Sequence, residues 1–191
     1  MKDDKVMIKS NSYNIKSLFK HWLIQLHYKY SQNKRSVILA THIAEIIKSD
    51  FNCTHKIHIL DFGCGDMYVA KCIHEIIPST NWTGTDVREN WDKKDLGFEY
   101  VKYENNKLPF SDNSFDIVLM NDVLHHIVDE EKALSVQECL RAGRALIIKD
   151  VFEKSFFKSI ILILMDIIGN WAYNVKIPTH YFSKKSFFLF L

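Results

Sequence analysis

The stretch "HILDFGCGDM" at residues 58–67 decides the fold, because an apolar run in it leads straight into a glycine loop. Asp61 stands near the end of the apolar run, and Gly63 and Gly65 follow two positions apart. Glycine lets the chain turn sharply and lets a ligand approach the backbone closely. The N–H groups at the start of a following helix attract a carboxylate or a phosphate. The stretch therefore predicts a buried strand, a ligand-binding loop and a helix in succession.

Short apolar runs alternate with segments of helical periodicity along the rest of the chain. Strands are predicted at 57–62, 81–87, 98–104, 115–121 and 145–151. Helices are predicted at 14–31, 35–48, 66–77 and 129–143, the third opened by Asp66 as an N-cap and the fourth ended by Gly143. Such alternation indicates an α/β fold, a doubly wound and mostly parallel sheet with helices on both faces.

Composition and charge restrict the class of protein. The 191 residues suffice for one domain with a sizeable core, and 47% hydrophobic with 25% charged residues indicates a folded globular protein. The net charge of +2 implies no strong general attraction to nucleic acid. The charge is uneven, because residues 1–35 carry eight Lys or Arg against two Asp, a net +6 that leaves −4 for the remainder.

Cysteine spacing and hydropathy indicate the compartment. The four cysteines, at positions 53, 64, 72 and 139, have no C-x-x-C spacing, so neither a zinc site nor a disulfide framework fits. We expect free thiols in a reducing cytoplasm, and no signal peptide at the N-terminus. The apolar segment 156–168 has thirteen residues, whereas a membrane span needs about 20. We therefore expect a cytoplasmic protein, with association at a membrane surface left open.

Polar residues stand at the carboxyl ends of the predicted strands, which is where open α/β sheets bind their ligands. Asp86 follows Asp61 by 25 positions and can accept both hydroxyls of a ribose. Glu104 and the two asparagines after it can pair with the polar edge of a base. This set suits a nucleoside that carries an anionic or zwitterionic group. The dinucleotide-binding motif G-x-G-x-x-G requires glycine at position 68, where this chain has Tyr68. An NAD site is therefore disfavoured.

Three segments together resemble the class I S-adenosylmethionine-dependent methyltransferases. They are "ILDFGCGDM" at 59–67, "GTDVRE" at 84–89 and "YENNKLPFSDNSFDIVLMNDVLHHI" at 103–127. The likeness covers about residues 35–153 and is strongest to the small-molecule branch, which includes the quinone and sterol methyltransferases. The resemblance implies a Rossmann-like fold and S-adenosyl-L-methionine as cofactor, with S-adenosyl-L-homocysteine as product and no metal.

The resemblance also implies roles for single residues. Asp61 would order the glycine loop and reach the cofactor ammonium, Asp86 would accept the ribose hydroxyls, and Asn121 would lie beside the sulfonium. Glu104 would accept from the adenine amino group, and Val87 would lie along the adenine face. The complete set of implied cofactor-binding residues is Asp61, Gly63, Cys64, Gly65, Asp86, Val87, Glu104, Asn105 and Asn121.

The catalytic and substrate-binding residues are less defined. His125 and His126 follow the fourth strand, where either a general base or a locally packed pair fits, and local packing is the favoured interpretation. His126 is the candidate catalytic residue. The candidate substrate contacts are His125, Asp166, Asn170, His180 and Tyr181.

Met67 stands where the resemblance leads us to expect a third glycine. One interpretation is a damaged cofactor site. The favoured interpretation is tolerance, with the side chain pointing away from the loop, because this position would begin the helix and need no positive φ.

We predict three parts: an N-terminal helical lid at 1–34, a cofactor-binding core at 35–153, and an apolar helix with a truncated C-terminal segment at 154–191. The basic aromatic arm at 19–30 can alternatively grip RNA or lie on an anionic membrane. The family fold has seven strands, and 40 residues after Val151 are too few for the usual closing hairpin. The open sheet edge or the apolar C-terminal helix would then support a homodimer.

The sequence thus predicts a methyltransferase with a small-molecule or lipid-like acceptor. The alternatives are an RNA-directed methyltransferase, and a non-catalytic relative that binds the cofactor or a partner chain. A nucleic acid partner is not expected, whereas peripheral contact with a membrane is left open.

Overall fold

A computed structural model of the chain describes residues 33–87, 97–103, 107–151 and residue 187. The helices are α1 (Asn33–Asp50), α2 (Tyr68–Ile76) and α3 (Asp129–Ala142), and a short 3₁₀ helix spans Leu124–His126. The strands are β1 (Ile57–Phe62), β2 (Thr80–Asp86), β3 (Glu99–Lys102), β4 (Phe115–Asn121) and β5 (Gly143–Lys149).

The five strands form one parallel sheet in the order β3-β2-β1-β4-β5. The chain therefore moves outward in one direction from β1 to β3 and then returns to place β4 on the other side of β1. The strand order reverses between β1 and β4, and open α/β sheets have their ligand-binding crevice at the carboxyl ends of such strands. The predicted α/β class, the parallel sheet and the approximate positions of all five strands are confirmed.

Helices cover both faces of the sheet because successive strand residues point to opposite sides. Ile59 and Ile117 belong to one buried cluster with residues of α1 and α2. Leu60 and Val118, their neighbours in sequence, belong to a second cluster that includes Cys139 of α3. Each large apolar side chain buried in this way contributes about 1.5–3 kcal/mol. The two clusters fix the sheet from both sides and hold its carboxyl edge in place.

Arg141 of α3 fastens the segment that precedes β4. Its guanidinium donates hydrogen bonds to the carbonyl oxygens of Phe110 (2.8 Å) and Leu108 (3.1 Å). It also pairs with Glu138 at 2.8 Å, and this hydrogen bond lowers the pKa of the Glu138 carboxyl. A planar fork of this kind suits several fixed acceptors at once. The chain therefore enters β4 from a segment held against α3.

Two predicted boundaries were wrong by two residues, with consequences for the site. Helix α2 begins at Tyr68, and Asp66 lies in the turn before it, where its carboxylate accepts from the Tyr68 N–H at 3.1 Å. The N-cap position is therefore occupied by Met67, which makes no capping bond with its side chain. Strand β5 runs over Gly143–Lys149, so Gly143 starts the strand and Asp150 stands just beyond its end.

Several predictions concern residues outside the described ranges. They are the helix at 14–31, nearly all of the lid at 1–34, and the apolar helix, missing hairpin and dimer contacts assigned to 154–191. Among the described helices, none has the length and apolar character needed to cross a bilayer.

The cysteines differ in how they are buried. Cys139 lies fully inside the cluster beneath α3, and this burial raises the pKa of its thiol to about 12. Cys53 is half-buried in the turn after α1. The thiolate is the reactive form of cysteine, so a buried thiol that stays protonated is protected.

We predict that a disulfide reagent modifies Cys53 of the folded protein well before Cys139. Below about pH 9 the Cys139 thiol should react only after unfolding, because it is both inaccessible and protonated. Time-resolved labelling followed by peptide mapping measures this order. Cys53→Ser is the control, since it should remove the fast phase at Cys53. Rapid modification of Cys139 in native protein would contradict the described packing.

Candidate functional site

The loop after β1 is shaped by its two glycines. Gly63 and Gly65 have φ angles of +68° and +50°, a region that side-chain-bearing residues seldom adopt. The N–H groups of Gly63 and of the buried Cys64 both donate to the Thr85 carbonyl oxygen, at 2.8 and 3.1 Å. The loop thus folds back over the end of β2 instead of continuing the direction of β1.

Gly63 also brings the loop into contact with the segment after β4. A Cβ atom added at Gly63 would lie 2.5 Å from Cγ2 of Val123, closer than real contacts allow. Glycine is therefore required here both for its φ angle and for the approach of Val123. This contact joins the two sides of the crevice, the loop after β1 and the residues that follow Asn121.

Two buried carboxylates lie at the ends of β1 and β2. Asp61 is buried beneath the glycine loop, and the Asp86 carboxylate accepts a hydrogen bond from the Gly65 N–H at 3.1 Å. The Asp86 carbonyl oxygen accepts from the Tyr103 N–H at 2.9 Å, which ties the end of β2 to the residue after β3. The structure therefore brings Asp86 and the glycine loop together. Val87, the next residue, is 66% exposed.

Four buried polar atoms, which include the Tyr103 hydroxyl and Oδ1 of Asp122, have no hydrogen-bond partner among the described residues, and two of the four belong to strand residues. They are the Thr85 hydroxyl oxygen, next to Asp86, and Oδ1 of Asn121, the last residue of β4. A buried polar atom without a partner costs about 1–3 kcal/mol. Both residues stand at the carboxyl ends of their strands, where a ligand with N–H or O–H donors would offset this cost.

A second polar group lies at the ends of β4 and β5. His125 Nδ1 and Asp150 Oδ1 are 2.5 Å apart, with side chains that are 3% and 0% exposed. Asp150 is held by backbone donors as well, since it accepts from the N–H groups of His125 (3.2 Å) and Val151 (2.6 Å). The carboxylate and the imidazole are therefore fixed relative to each other by both chain segments.

The residues beside this pair complete the local charge balance. Asp122, which has a φ of +55°, forms an ion pair with Lys149. His126 is half-buried, and its ring centroid lies 4.1 Å from that of His125. Asp122, His125 and Asp150 are of the types that bind divalent cations, and they lie within 4.8 Å of one another. Lys149 pairs with Asp122, and the backbone N–H groups of His125 and Val151 donate to Asp150, whereas Oδ1 of Asp122 has no hydrogen-bond partner among the described residues.

Met67 corrects one expectation. Its φ is +56°, so the prediction that this position needs no positive φ was wrong. Its side chain is buried in the core beneath the loop, where a Cβ added at Gly84 would lie 2.7 Å from Met67 Sδ and 2.8 Å from Cys64 Sγ. The left-handed backbone is retained by methionine because its side chain fills the space that Gly84 leaves on β2.

Some predicted site residues lie outside the described ranges, and one important residue was missed. The predictions for Glu104, Asn105, Asp166, Asn170, His180 and Tyr181 stay untested for this reason. Asp150 was missed because the fifth strand was predicted to end at 151, which placed this residue inside the strand. The rule that ligands bind at the carboxyl ends of strands would have selected Asp150 once β5 was known to end at Lys149.

Comparison with known proteins finds likeness to methyltransferases. Residues 60–146 match the family described as "Methyltransferase domain". A curated relative, the ubiquinone/menaquinone biosynthesis C-methyltransferase UbiE of Pasteurella multocida (strain Pm70), is 29% identical over 132 residues. This match covers 63% of the chain and 47% of the relative, so the chain spans about half the length of the curated protein it matches.

Solved structures show the same fold at low sequence identity. A SAM-dependent methyltransferase from Archaeoglobus fulgidus is 16% identical with a TM-score of 0.62, over 87% of this chain and 70% of its own. The CurJ carbon methyltransferase is also 16% identical, with a TM-score of 0.61, over 88% of this chain and 49% of its own. At this identity the likeness concerns the fold alone.

The left-handed conformation at Met67 leads to a prediction about stability. Met67→Ala should lower the free energy of unfolding by about 2–4 kcal/mol, since it empties a packed site. Met67→Gly should be about 1 kcal/mol more stable than Met67→Ala, because glycine relieves the strain of a positive φ. Urea denaturation of both variants measures the difference.

Ile73 offers the matched control, since it is fully buried in the interior of α2. There the order should reverse, with Ile73→Gly about 1 kcal/mol less stable than Ile73→Ala, because glycine is unfavourable inside a helix. The same order of alanine and glycine at both positions would show that Met67 is not strained.

Proposed function

We propose that the chain, whose residues 60–146 match the family described as "Methyltransferase domain", transfers a methyl group from S-adenosyl-L-methionine to a small organic acceptor. The observation that carries the proposal is the hydrogen bond from the Gly65 N–H to the Asp86 carboxylate. It joins a backbone loop suited to an amino acid group with an acid suited to a ribose, and S-adenosylmethionine contains both groups.

The predicted site residues would divide the binding of this cofactor among them. Asp86 would accept the ribose hydroxyls, and the backbone of Gly63 and Gly65 would lie against the methionyl part. Asp61 would order the loop and balance the cofactor ammonium. Exposed Val87 would lie along the adenine ring. Glu104 and Asn105 keep their predicted roles toward adenine.

The two unpartnered acceptors support this assignment. Thr85 Oγ1 and Asn121 Oδ1 stand at the ends of β2 and β4, and each lacks a donor among the described residues. The cofactor has hydroxyl and ammonium donors, so its chemistry fits what these atoms lack. Backbone loop, buried acids and unpartnered acceptors meet at one edge of the sheet.

The chemistry requires the chain mainly to bind and orient its reactants. When bound, S-adenosylmethionine supplies an electrophilic methyl group on a sulfonium. Strand ends that hold the cofactor and acceptor in line contribute proximity and orientation. A residue that accepts a proton is needed only when the acceptor must lose one.

The small-molecule or lipid-like nature of the acceptor is supported by the relative from Pasteurella multocida, whose name describes a C-methyltransferase of quinone biosynthesis. The RNA-directed alternative depended on the basic arm at 19–30, which lies outside the described residues. No described observation favours it. The non-catalytic alternative is distinguished by measuring binding and transfer separately.

We predict micromolar binding of S-adenosylhomocysteine to the wild-type chain, weakened about 10- to 100-fold in Asp86→Asn. The loss corresponds to about 1.5–3 kcal/mol for a hydrogen bond to a charged group. Titration calorimetry measures both affinities, and circular dichroism verifies that the variant is folded.

Asp116→Asn is the matched control. Asp116 is also a strand carboxylate with hydrogen bonds, to the His58 N–H (2.9 Å) and Arg144 (3.0 Å), but it lies near the amino end of β4. Its substitution should leave the affinity unchanged. If the wild-type protein does not bind S-adenosylhomocysteine, the proposed function is wrong. Binding without methyl transfer to a cell extract would favour a non-catalytic relative.

A further inference from the structure

We propose that Glu138 and Arg141 of α3 form a clamp that positions the chain for adenine recognition, so that it distinguishes adenine from a base without the amino group. The inference rests on the proposed function, in which Glu104 accepts from the adenine amino group. It assigns a role in cofactor selection to a helix that contributes none of the predicted cofactor contacts.

Leu108 is held through both of its backbone polar groups. Its N–H donates to Glu138 Oε2 at 3.0 Å, and its carbonyl oxygen accepts from Arg141 Nη2 at 3.1 Å. Its side chain is fully buried in the cluster that includes Cys139. A residue fixed through its N–H, its carbonyl oxygen and its side chain cannot shift without breaking all three interactions.

Arg141 also fixes the residues that follow Leu108. Its Nη1 donates to the Phe110 carbonyl oxygen at 2.8 Å and to the Asp112 carboxylate at 2.9 Å. In the other direction, the Asn113 N–H donates to the carbonyl oxygen of Arg141 at 2.8 Å. The segment that begins at Leu108 therefore lies against the end of α3 along most of its length.

The clamp is organised by its own hydrogen bonds. Glu138 and Arg141 are three positions apart, which places them on one side of α3. Nε and Nη2 of Arg141 both donate to the Glu138 carboxylate, at 3.0 and 2.8 Å. Such a bidentate pair fixes the direction of the guanidinium as well as its position. The hydrogen bond from Arg141 lowers the pKa of the Glu138 carboxyl, so the pair stays charged at neutral pH.

The clamped segment is one end of a short connection that contains the predicted adenine contacts. The other end is Tyr103, whose N–H donates to the Asp86 carbonyl oxygen at 2.9 Å. Glu104 and Asn105, the residues assigned to adenine, stand between these two fixed ends, and Glu104 is four positions from Leu108. Because so short a chain has little reach, the position of Leu108 restricts where the residues between the ends can lie.

A fixed end favours binding because a flexible segment loses conformational freedom when it closes on a ligand. Without the clamp, only the fraction of molecules with a correctly placed segment would bind adenine, and the apparent affinity would fall by that fraction. Asp86 and the glycine loop are held by other hydrogen bonds, from the Gly65 N–H and to the Thr85 carbonyl oxygen. The clamp should therefore affect the choice of base more than the binding of the remaining cofactor groups.

The test compares two ligands by titration calorimetry: S-adenosylhomocysteine, and S-inosylhomocysteine, in which an oxygen replaces the adenine amino group. The wild-type chain should bind the first at least about tenfold more tightly, because only adenine has an amino group that can donate to Glu104. Arg141→Ala should weaken binding of S-adenosylhomocysteine about tenfold or more and bring the two affinities within about threefold of each other. Arg141→Lys should behave similarly, because lysine keeps the charge without the planar fork.

Arg144→Ala is the matched control. Arg144 also pairs with an aspartate, Asp116, at 3.0 Å, but near the amino end of the sheet. Its substitution should change neither the affinities nor their ratio. If Arg141→Ala fails to fold by circular dichroism, Arg141→Lys and Glu138→Gln decide the result. Glu138→Gln keeps the shape without the charge and should lower the ratio of affinities about threefold or more.

The outcomes separate the clamp from the proposed function. Wild-type binding without preference for adenine, a wild-type ratio of affinities in the Arg141 variants, or the same change in Arg144→Ala each overturns the clamp. An equal loss for both ligands also overturns it, since that result indicates support of the fold alone. Failure of the wild-type chain to bind either ligand overturns the proposed function itself. A selective loss of S-adenosylhomocysteine binding, with Arg144→Ala unchanged, supports the inference.

Discussion

The parallel pairing of β1 with β2 on one side and β4 on the other is the constraint on which the site depends. Phe62, the last residue of β1, is level with Thr85 of β2 and Met120 of β4. The residues that follow on the three strands are Gly63, Asp86 and Asn121. The strand register alone therefore brings the glycine loop, the carboxylate and the amide to one level. Asn121 is in turn level with Lys149 of β5, so Asp122 and Asp150 follow together. A slip of one residue between any two strands would separate these groups and turn their side chains to the opposite face.

The sequence predicted the parts of the fold whose cause is local. Strands β1 and β4 have the predicted limits, because each is a continuous apolar run bounded by residues that end a buried strand. Strand β3 is shorter than predicted, with four residues, since its length depends on how far β2 accompanies it. Strand β5 begins two residues earlier, because Gly143 allows both a helix end and a strand start and only pairing with Phe115 selects the second. Because of this shift, the prediction placed Asp150 inside the strand and missed it as a residue at the strand end.

The conformation of Met67 shows why a site residue can escape prediction although its neighbours do not. Steric contact within the backbone makes a positive φ unfavourable for methionine. The sequence-based prediction considered only such local effects and therefore assigned Met67 no positive φ. The deciding residue is Gly84, 17 positions later, whose missing side chain leaves room for the Met67 sulfur on β2. Burial of the methionine side chain outweighs about 1–2 kcal/mol of backbone strain. Whether burial offsets backbone strain depends on which residues contact each other across the core. These long-range contacts cannot be predicted from the pattern of a single sequence.

The polar groups on the two sides of the sheet's carboxyl edge differ in how well sequence resemblance predicts them. On the β1–β2 side, the glycine backbone and two acids would serve a cofactor common to the family that the chain resembles, so motif and spacing predict them. On the β4–β5 side, the His125–Asp150 pair is assembled from chain segments 25 residues apart, so no local motif identifies it. The close approach of Val123 to Gly63 and the pairing of β1 with β4 connect the two sides, whose polar groups are different side chains. Residues at the ends of β4 and β5 can therefore differ between proteins of this fold while the loop after β1 stays unchanged.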